Sequence, residues 1–442
     1  MTTLRNQGCP IPVAEPKTGL KVLRAFREER SPLAALRILR DHLGHIFQIA
    51  LPGFRPIVLS GPKYNRFLLV SGRKNFHWRT EGDPVTGLLR HGVLVEDGER
   101  HDFLRTPMDS ALSRKHVIAH TKVFGQSTDA VTSQWGDDAT VDMLVEMRKI
   151  ALLILMQSLF GVDFRPHLET LFDPVIKVIK YISPGAWLIW NKFPRLGYHR
   201  AIEQVDAYLY SIIRERRASP NGKDDLLTQM INDSQWSDDL IRDQLLTLLI
   251  AGHDTSTALL AWTLYLLGKY PESLAQVQEE VESNLGAESP TNARNKELRY
   301  LDLIIKETLR LYPPIHMGNR KSATEISLDE YRIPKDSRVM YSIYLTHRDP
   351  EHWPDPESFK PERFDRSEGQ KPAGYTYLPF GGGPRACVGA AFAQIEAKTV
   401  LARLLQTFDL ELLSENIHPH MGATLEPHPG VQMRVHRRSV TS

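Results

Sequence analysis

Phe380-Gly381-Gly382-Gly383-Pro384-Arg385-Ala386-Cys387-Val388-Gly389 is a glycine run that ends in a single cysteine, just before an apolar helical stretch. Glycines let backbone approach a flat macrocycle closely. The N-H groups at the following helix start can donate to sulfur and hold it as an anion. This is the arrangement a thiolate needs to ligate heme iron, and Arg385 adds positive charge nearby. The same letters admit two other readings. Gly381-x-Gly383-x-x-Ala386 fits a dinucleotide fingerprint, after a strand-like Tyr375-Thr376-Tyr377-Leu378 and with Asp409 about one helix later. Pro384 removes an N-H that a pyrophosphate would want, and that reading leaves Cys387 without a role. The plainest alternative is a Gly/Pro loop around an inert buried cysteine.

Composition narrows the setting. The chain has 442 residues, 55 basic and 53 acidic side chains, and a net charge of +2. No global field calls for nucleic acid. The only cysteines are Cys9 and Cys387, so there is no disulfide framework, and a reducing, cytoplasmic setting is expected. Pro10, Pro12 and Pro16 replace any apolar leader near the start, so no signal peptide or transmembrane anchor is expected and the protein should be soluble. Leu245 to Leu267 is long and apolar, but His253, Asp254 and three hydroxyl residues sit at its centre. An acid at mid-bilayer costs about 2.5 to 3.5 kcal/mol. A long buried helix is therefore expected, with a second core helix over Ile150 to Val162.

The pattern predicts a fold that is mainly α with a small β part. Residues 1–30 read as an N-terminal Pro-containing extended segment and 31–442 as a single domain. Ser31-Pro32 opens a helix that stops at Gly44, and strands follow over His45 to Leu51 and Pro56 to Ser60. From Pro62 to Glu280 the signals are helical. A further strand is expected over Arg338 to Tyr344.

Three more motifs carry chemistry. Ala251-Gly252-His253-Asp254-Thr255 places an acid and a hydroxyl inside the apolar helix, and Thr255 can bond back to the carbonyl of Ala251 and bend it. The result would be a groove for a small polar ligand with a proton source beside it, or a buried polar patch satisfied by neighbouring helices. Glu307 and Arg310 lie three apart on one face, as an exposed pair or as a buried one needing a further partner such as Glu362 or Arg363 in Pro361-Glu362-Arg363-Phe364. His101, Arg105, Arg320 and Arg385 are surface charges if no heme is bound, or donors to heme propionates if it is.

Taken together and in order, these motifs resemble the cytochrome P-450 family of heme-thiolate monooxygenases, from about Ser31 to the end of the chain. The resemblance implies the fold of that family, with heme b (iron protoporphyrin IX) between the long central helix and the cysteine loop. It implies Cys387 as axial ligand, with Phe380, Gly381, Gly389, Ala251 and Gly252 also at the cofactor. Thr255 would donate to dioxygen and Asp254 would bring protons from solvent. Glu307, Arg310 and Arg363 would be structural.

The implied reaction is hydroxylation or epoxidation of a hydrophobic small molecule by O2. Alternatives are a peroxide-driven enzyme, which has no need of the Asp254 and Thr255 relay, and a non-catalytic heme sensor. By the same resemblance the substrate lies among Val85 to Val95, Thr247 to Ala251, Ile315 to Met317 and Ala423 to Leu425, and Trp187 and Trp190 fall in an access region. No flavin or iron-sulfur signature follows the cysteine, so a separate electron donor is expected, a ferredoxin or flavodoxin with its reductase. Arg73, Lys74, Arg105 and Arg114 would suit an acidic partner.

Overall fold

Helix Asp238–Lys269, 32 residues long, forms the axis of the molecule. In the computed structural model, residues 9–438 are described, apart from 30, 184–194, 196, 220–224, 287, 291–293, 295 and 366–371. The axial helix starts where Ser237 accepts from the amide of Leu240 at 3.2 Å, with Asp238 and Asp239 in its first turn and Lys269 in its last. Each charge has the sign the helix dipole favours. A helix that is apolar on all sides must be covered on all sides, and this one is. Its length and composition would let it cross a membrane, but it is mostly buried within the protein and is a core helix.

Its main neighbour is helix Met143–Phe160, capped by Asp142 and ended by Gly161 at φ 64°. Helices Leu168–Tyr181, His199–Ala218, Arg299–Leu311 and Ala390–Thr407 belong to the helical body, with Gly98–Ala111, Thr121–Thr132 and Pro271–Leu285 among others. Expected helix Pro32–Leu43 is present and ends at Gly44. The N-terminal sheet has the order Ile46–Gln48, Ile57–Leu59, Arg338–Ser342, Met317–Ser322, Phe76–His77. The first two strands pair antiparallel, and Ile57–Leu59 runs parallel to Arg338–Ser342.

Three readings need correction. Residues Pro16–Glu29 form a helix, not an extended segment. Pro16 stands at its first position, where a missing N-H costs nothing; only the stretch before it is extended, with Gln48 N bonding to the Pro12 carbonyl at 2.8 Å. Ala139–Asp142 lies in a region read as helical, yet it is a strand on Gln432–Arg437. Tyr375 to Leu378 is no strand: Tyr375 has φ 66°, and the hydroxyl of Thr376 turns back to the Ala373 carbonyl at 2.6 Å. The dinucleotide reading thereby loses the strand it needs. The Trp187 and Trp190 stretch lies outside the described residues.

Candidate active site

The cysteine loop is shaped by backbone constraints that favour glycine and, at Gly383, require it. Gly381 and Gly383 both have φ 68°, and a Cβ on Gly383 would collide with the carbonyl oxygen of Leu69. The loop closes on itself through Cys387 N to the Phe380 carbonyl, 2.9 Å, and Ala386 N to the Gly383 carbonyl, 3.0 Å. Helix Ala390–Thr407 begins three residues after the cysteine. The Cys387 thiol is exposed, although enough protein surrounds it for burial to push its pKa up. Both hold if the thiol faces an interior recess. The Gly389 N-H and the charge of Arg105 oppose the upward shift by favouring thiolate. Arg385, expected beside the sulfur, instead turns to the carbonyls of Val93 and Glu96 and to Asp97 at 3.2 Å.

The axial helix shows the same kind of recess. From Ile241 to Leu267 every residue is buried except Ala251, Gly252 and Thr255. Ala251 is exposed at the middle of this core helix, on the stretch that carries the acid and hydroxyl. Thr255 donates to the Ala251 carbonyl at 2.7 Å, as its position predicts. The absent side chain of Gly252 is accounted for by packing, since a Cβ there would stand 2.6 Å from Leu155 Cδ1. Asp254 is buried and accepts from the Thr424 hydroxyl at 2.7 Å. Burial, then the charge of Glu426, raise its pKa to about 7.

The segments expected to line a pocket converge on this helix. His91 N bonds to Asp243 at 3.2 Å and Val93 N to Gln244 at 2.8 Å. The Leu425 amide reaches the Pro314 carbonyl at 2.9 Å, and Trp262 Nε1 reaches the Leu425 carbonyl at 2.8 Å. Leu94 and Ile315 are among the few large apolar side chains left exposed, at 41% and 39%. Thr247 is buried, bonded to the Asp243 carbonyl at 2.6 Å.

Arg320 and Arg385 meet on the indole of Trp78, at 3.1 and 4.5 Å from its ring centre. The sequence gives no sign of this stack. Burial first, with the charge of Arg320 among the causes, brings the Arg385 pKa down to about 10, and burial lowers that of Arg320. His101 is buried beside Asp102 at 2.8 Å, and burial together with the charges of Arg385 and Arg105 lowers its pKa. Arg105 is half-buried against Asp109 at 3.1 Å. Arg320 is 3% exposed, and its Nη2 has no hydrogen-bond partner among the described residues. A buried orphan guanidinium nitrogen beside other cations suits a bound anion, and carboxylates of heme would satisfy it. The residues present therefore fit heme: an exposed thiol in a glycine-shaped loop, an apolar core helix left uncovered at Ala251, and a buried cation with an unpartnered nitrogen.

Glu307 and Arg310 are fully buried, joined by two bonds of 2.8 Å. Arg363 adds a third at 3.1 Å, and Arg310 Nη1 reaches the carbonyls of His347 and Pro356. The pair is a buried hub, not a surface contact. One further residue, Glu396, escaped notice. Ser256 donates to Glu396 at 2.5 Å, tying the axial helix to the cysteine helix, and burial raises the Glu396 pKa to about 8. An acid among Phe392, Ile395, Ala397 and Val400 was the available signal.

Comparison with known proteins agrees with this geometry. The profile of the family described as Cytochrome P450 matches residues 18–433. A putative cytochrome P450 139 of Mycobacterium tuberculosis is 29% identical over 92% of this chain and 99% of its own length. Cyclooctat-9-en-7-ol 5-monooxygenase of Streptomyces melanosporofaciens is 29% identical, covering 86% and 85%. Among solved structures, the cytochrome P450DA heme domain superposes with TM-score 0.83 at 26% identity, covering 98% and 97%. Retinoic acid bound cyanobacterial CYP120A1 does so with TM-score 0.81 at 27% identity, covering 94% and 96%. A cysteine in a glycine-shaped loop, an acid and hydroxyl on a core helix, and a match over nearly the whole chain place this protein in the cytochrome P450 family, monooxygenases that bind heme b through a cysteine thiolate.

Proposed function

We propose that the chain inserts one oxygen atom from O2 into a hydrocarbon-rich small molecule, using electrons from a separate ferredoxin or flavodoxin. The observation that carries this reading is the pairing of Thr255, open to the recess, with Asp254, buried behind it and poised to hold a proton near neutral pH. Such a pair suits O2 reduction, which consumes protons, and has no task in a peroxide-driven enzyme. Heme b, held by Cys387, would supply the activation of O2 and the oxidation of substrate. Arg320, with Arg385, Arg105 and His101 nearby, would hold its carboxylates. The Thr255 O-H is committed to the Ala251 carbonyl, so its lone pairs face the recess and the hydroxyl must turn to donate there. Asp254 is the group that can replace a proton given up on that side.

Leu94 and Ile315 support an apolar substrate. So do the relatives, whose names carry cyclooctat-9-en-7-ol and retinoic acid. Exposed Arg73, Lys74 and Arg114 offer positive charge to an acidic donor.

Two measurements test the reading. The reduced protein under carbon monoxide should show the red-shifted Soret band of thiolate-ligated heme, and Cys387→Ala should lose it. With a surrogate ferredoxin system, Thr255→Ala should divert electrons from product to peroxide by about a hundredfold, the low end of the range ascribed to positioned acid-base groups. Undiminished coupling in that variant would remove Thr255 from the mechanism.

A further inference from the structure

The group that touches the Asp254 carboxyl comes from the far end of the chain. Its Oδ2 accepts from the hydroxyl of Thr424, at the turn before strand Leu425–His428. Two residues further on, Glu426 Oε2 binds Arg148 Nη2 at 2.6 Å, with the two side chains 16% and 11% exposed. Glu426 is the register partner of exposed His420. Its Oε1 and the His420 ring each lie 3.8 Å from where a Gly422 Cβ would stand. The hairpin thus leads from the buried carboxyl towards the surface in three side chains.

The charges facing Asp254 are few. Glu426 acts from the hairpin and Arg148 from helix Met143–Phe160. On its own helix His253 is buried, bonds to the Arg148 carbonyl at 3.0 Å, and is kept neutral, its pKa lowered to about 4 by burial. Among the described residues the cation that acts on it, Arg148, is already paired with Glu426, so the carboxyl has the Thr424 hydroxyl as its contact and a carboxylate as its neighbour.

We propose that Thr424 and Glu426 form the outer leg of the proton supply to Asp254, Thr424 holding and refilling the carboxyl and the Glu426–Arg148 pair setting its proton affinity. The proposal rests on the reading of Asp254 as proton donor. When Asp254 releases its proton towards Thr255, the Thr424 hydroxyl gives its hydrogen to Oδ2 and takes one in its place from hydronium of the surrounding solvent. Each O–H bond broken is matched by one formed, so the net change is one proton passed from solvent towards Thr255, and no electron moves. Both residues are positioning residues that act through Asp254.

The first test needs no turnover. In the heme-loaded full chain, infrared titration follows the carboxyl band of protonated Asp254, identified by its loss in Asp254→Asn. Glu426→Gln should move the midpoint down by about one unit, a tenfold change in the ratio of protonated to ionised carboxyl. Glu426→Asp, which keeps the charge, should restore it. Thr424→Val should move it up, since the ionised form loses a hydrogen bond, and Thr424→Ser should rescue. The second readout is the solvent deuterium isotope effect on oxygen consumption driven by a surrogate ferredoxin and its reductase, which Thr424→Val should raise several-fold. A midpoint unmoved by Glu426→Gln, or an isotope effect unmoved by Thr424→Val, overturns the proposal. Failure of the wild-type protein to consume oxygen would instead overturn the monooxygenase reading, and the infrared titration would still decide the electrostatic link.

Discussion

Replacing Glu307 with glutamine probes the buried hub at its most loaded atom pair. Its carboxylate accepts four bonds: two from Arg310 at 2.8 Å, one from Arg363 at 3.1 Å and one from the Lys360 amide at 2.9 Å. Glutamine keeps the shape but removes the charge, and it turns an amide nitrogen towards guanidinium donors. Arg310 is left buried and charged, with only the carbonyls of His347, Pro356 and Ser358. Breaking a buried pair by removing one partner costs about 3–5 kcal/mol. Arg363 still has the Pro354 carbonyl at 3.1 Å, so the lower half of that range, roughly 3–4 kcal/mol, is expected. Urea denaturation of the heme-loaded protein reads it. With a slope at or above the ~3 kcal/mol/M upper end for small proteins, the midpoint should fall by about 1 M. Because the charge left behind dominates the cost, the double variant Glu307→Gln with Arg310→Met should lose less than the sum of the singles. A single variant within about 1 kcal/mol of wild type, or strict additivity in the pair, would refute the argument.

Three further outcomes follow from the site. Gly383→Ala must adopt φ 68° and meet the Leu69 carbonyl, so it should lose heme incorporation on expression, measured by the ratio of heme to protein absorbance; normal incorporation would show that the loop has slack. Arg320→Leu removes the buried guanidinium whose Nη2 has no partner among the described residues and should speed heme transfer to apomyoglobin about tenfold, whereas an unchanged rate would exclude it as a propionate partner. Asp254 has a folded pKa of about 7, above the usual carboxylate value, so the folded state binds the extra proton. Its contribution is full below pH ~4 and is lost as pH rises towards 7; Asp254→Asn should flatten that decline in melting temperature, and an unchanged slope would count against the shift.

Much of the site was legible because its chemistry is written in local spacing. Gly381, Gly383 and Cys387 stand within one loop, and Thr255 reaches Ala251 because a helix brings residues four apart together. Glu307 and Arg310 share a helix face for the same reason. The burial of that pair was not legible, because a three-residue spacing is equally good at a surface. The helix at Pro16–Glu29 was misread because prolines at a first turn and in an extended strand look alike in sequence.

The sequence alone singled out the candidate chemistry: one thiol in a glycine-shaped loop, and one acid-hydroxyl pair in an otherwise apolar helix. Tertiary structure alone decided their surroundings. Trp78 under two arginines, Glu396 against Ser256 and Thr424 against Asp254 join residues up to 307 positions apart in the chain, Trp78 and Arg385 being the widest pair. Such contacts leave no periodic trace, because what fixes them is the desolvation of a charge or hydroxyl that must find a partner wherever the fold supplies one.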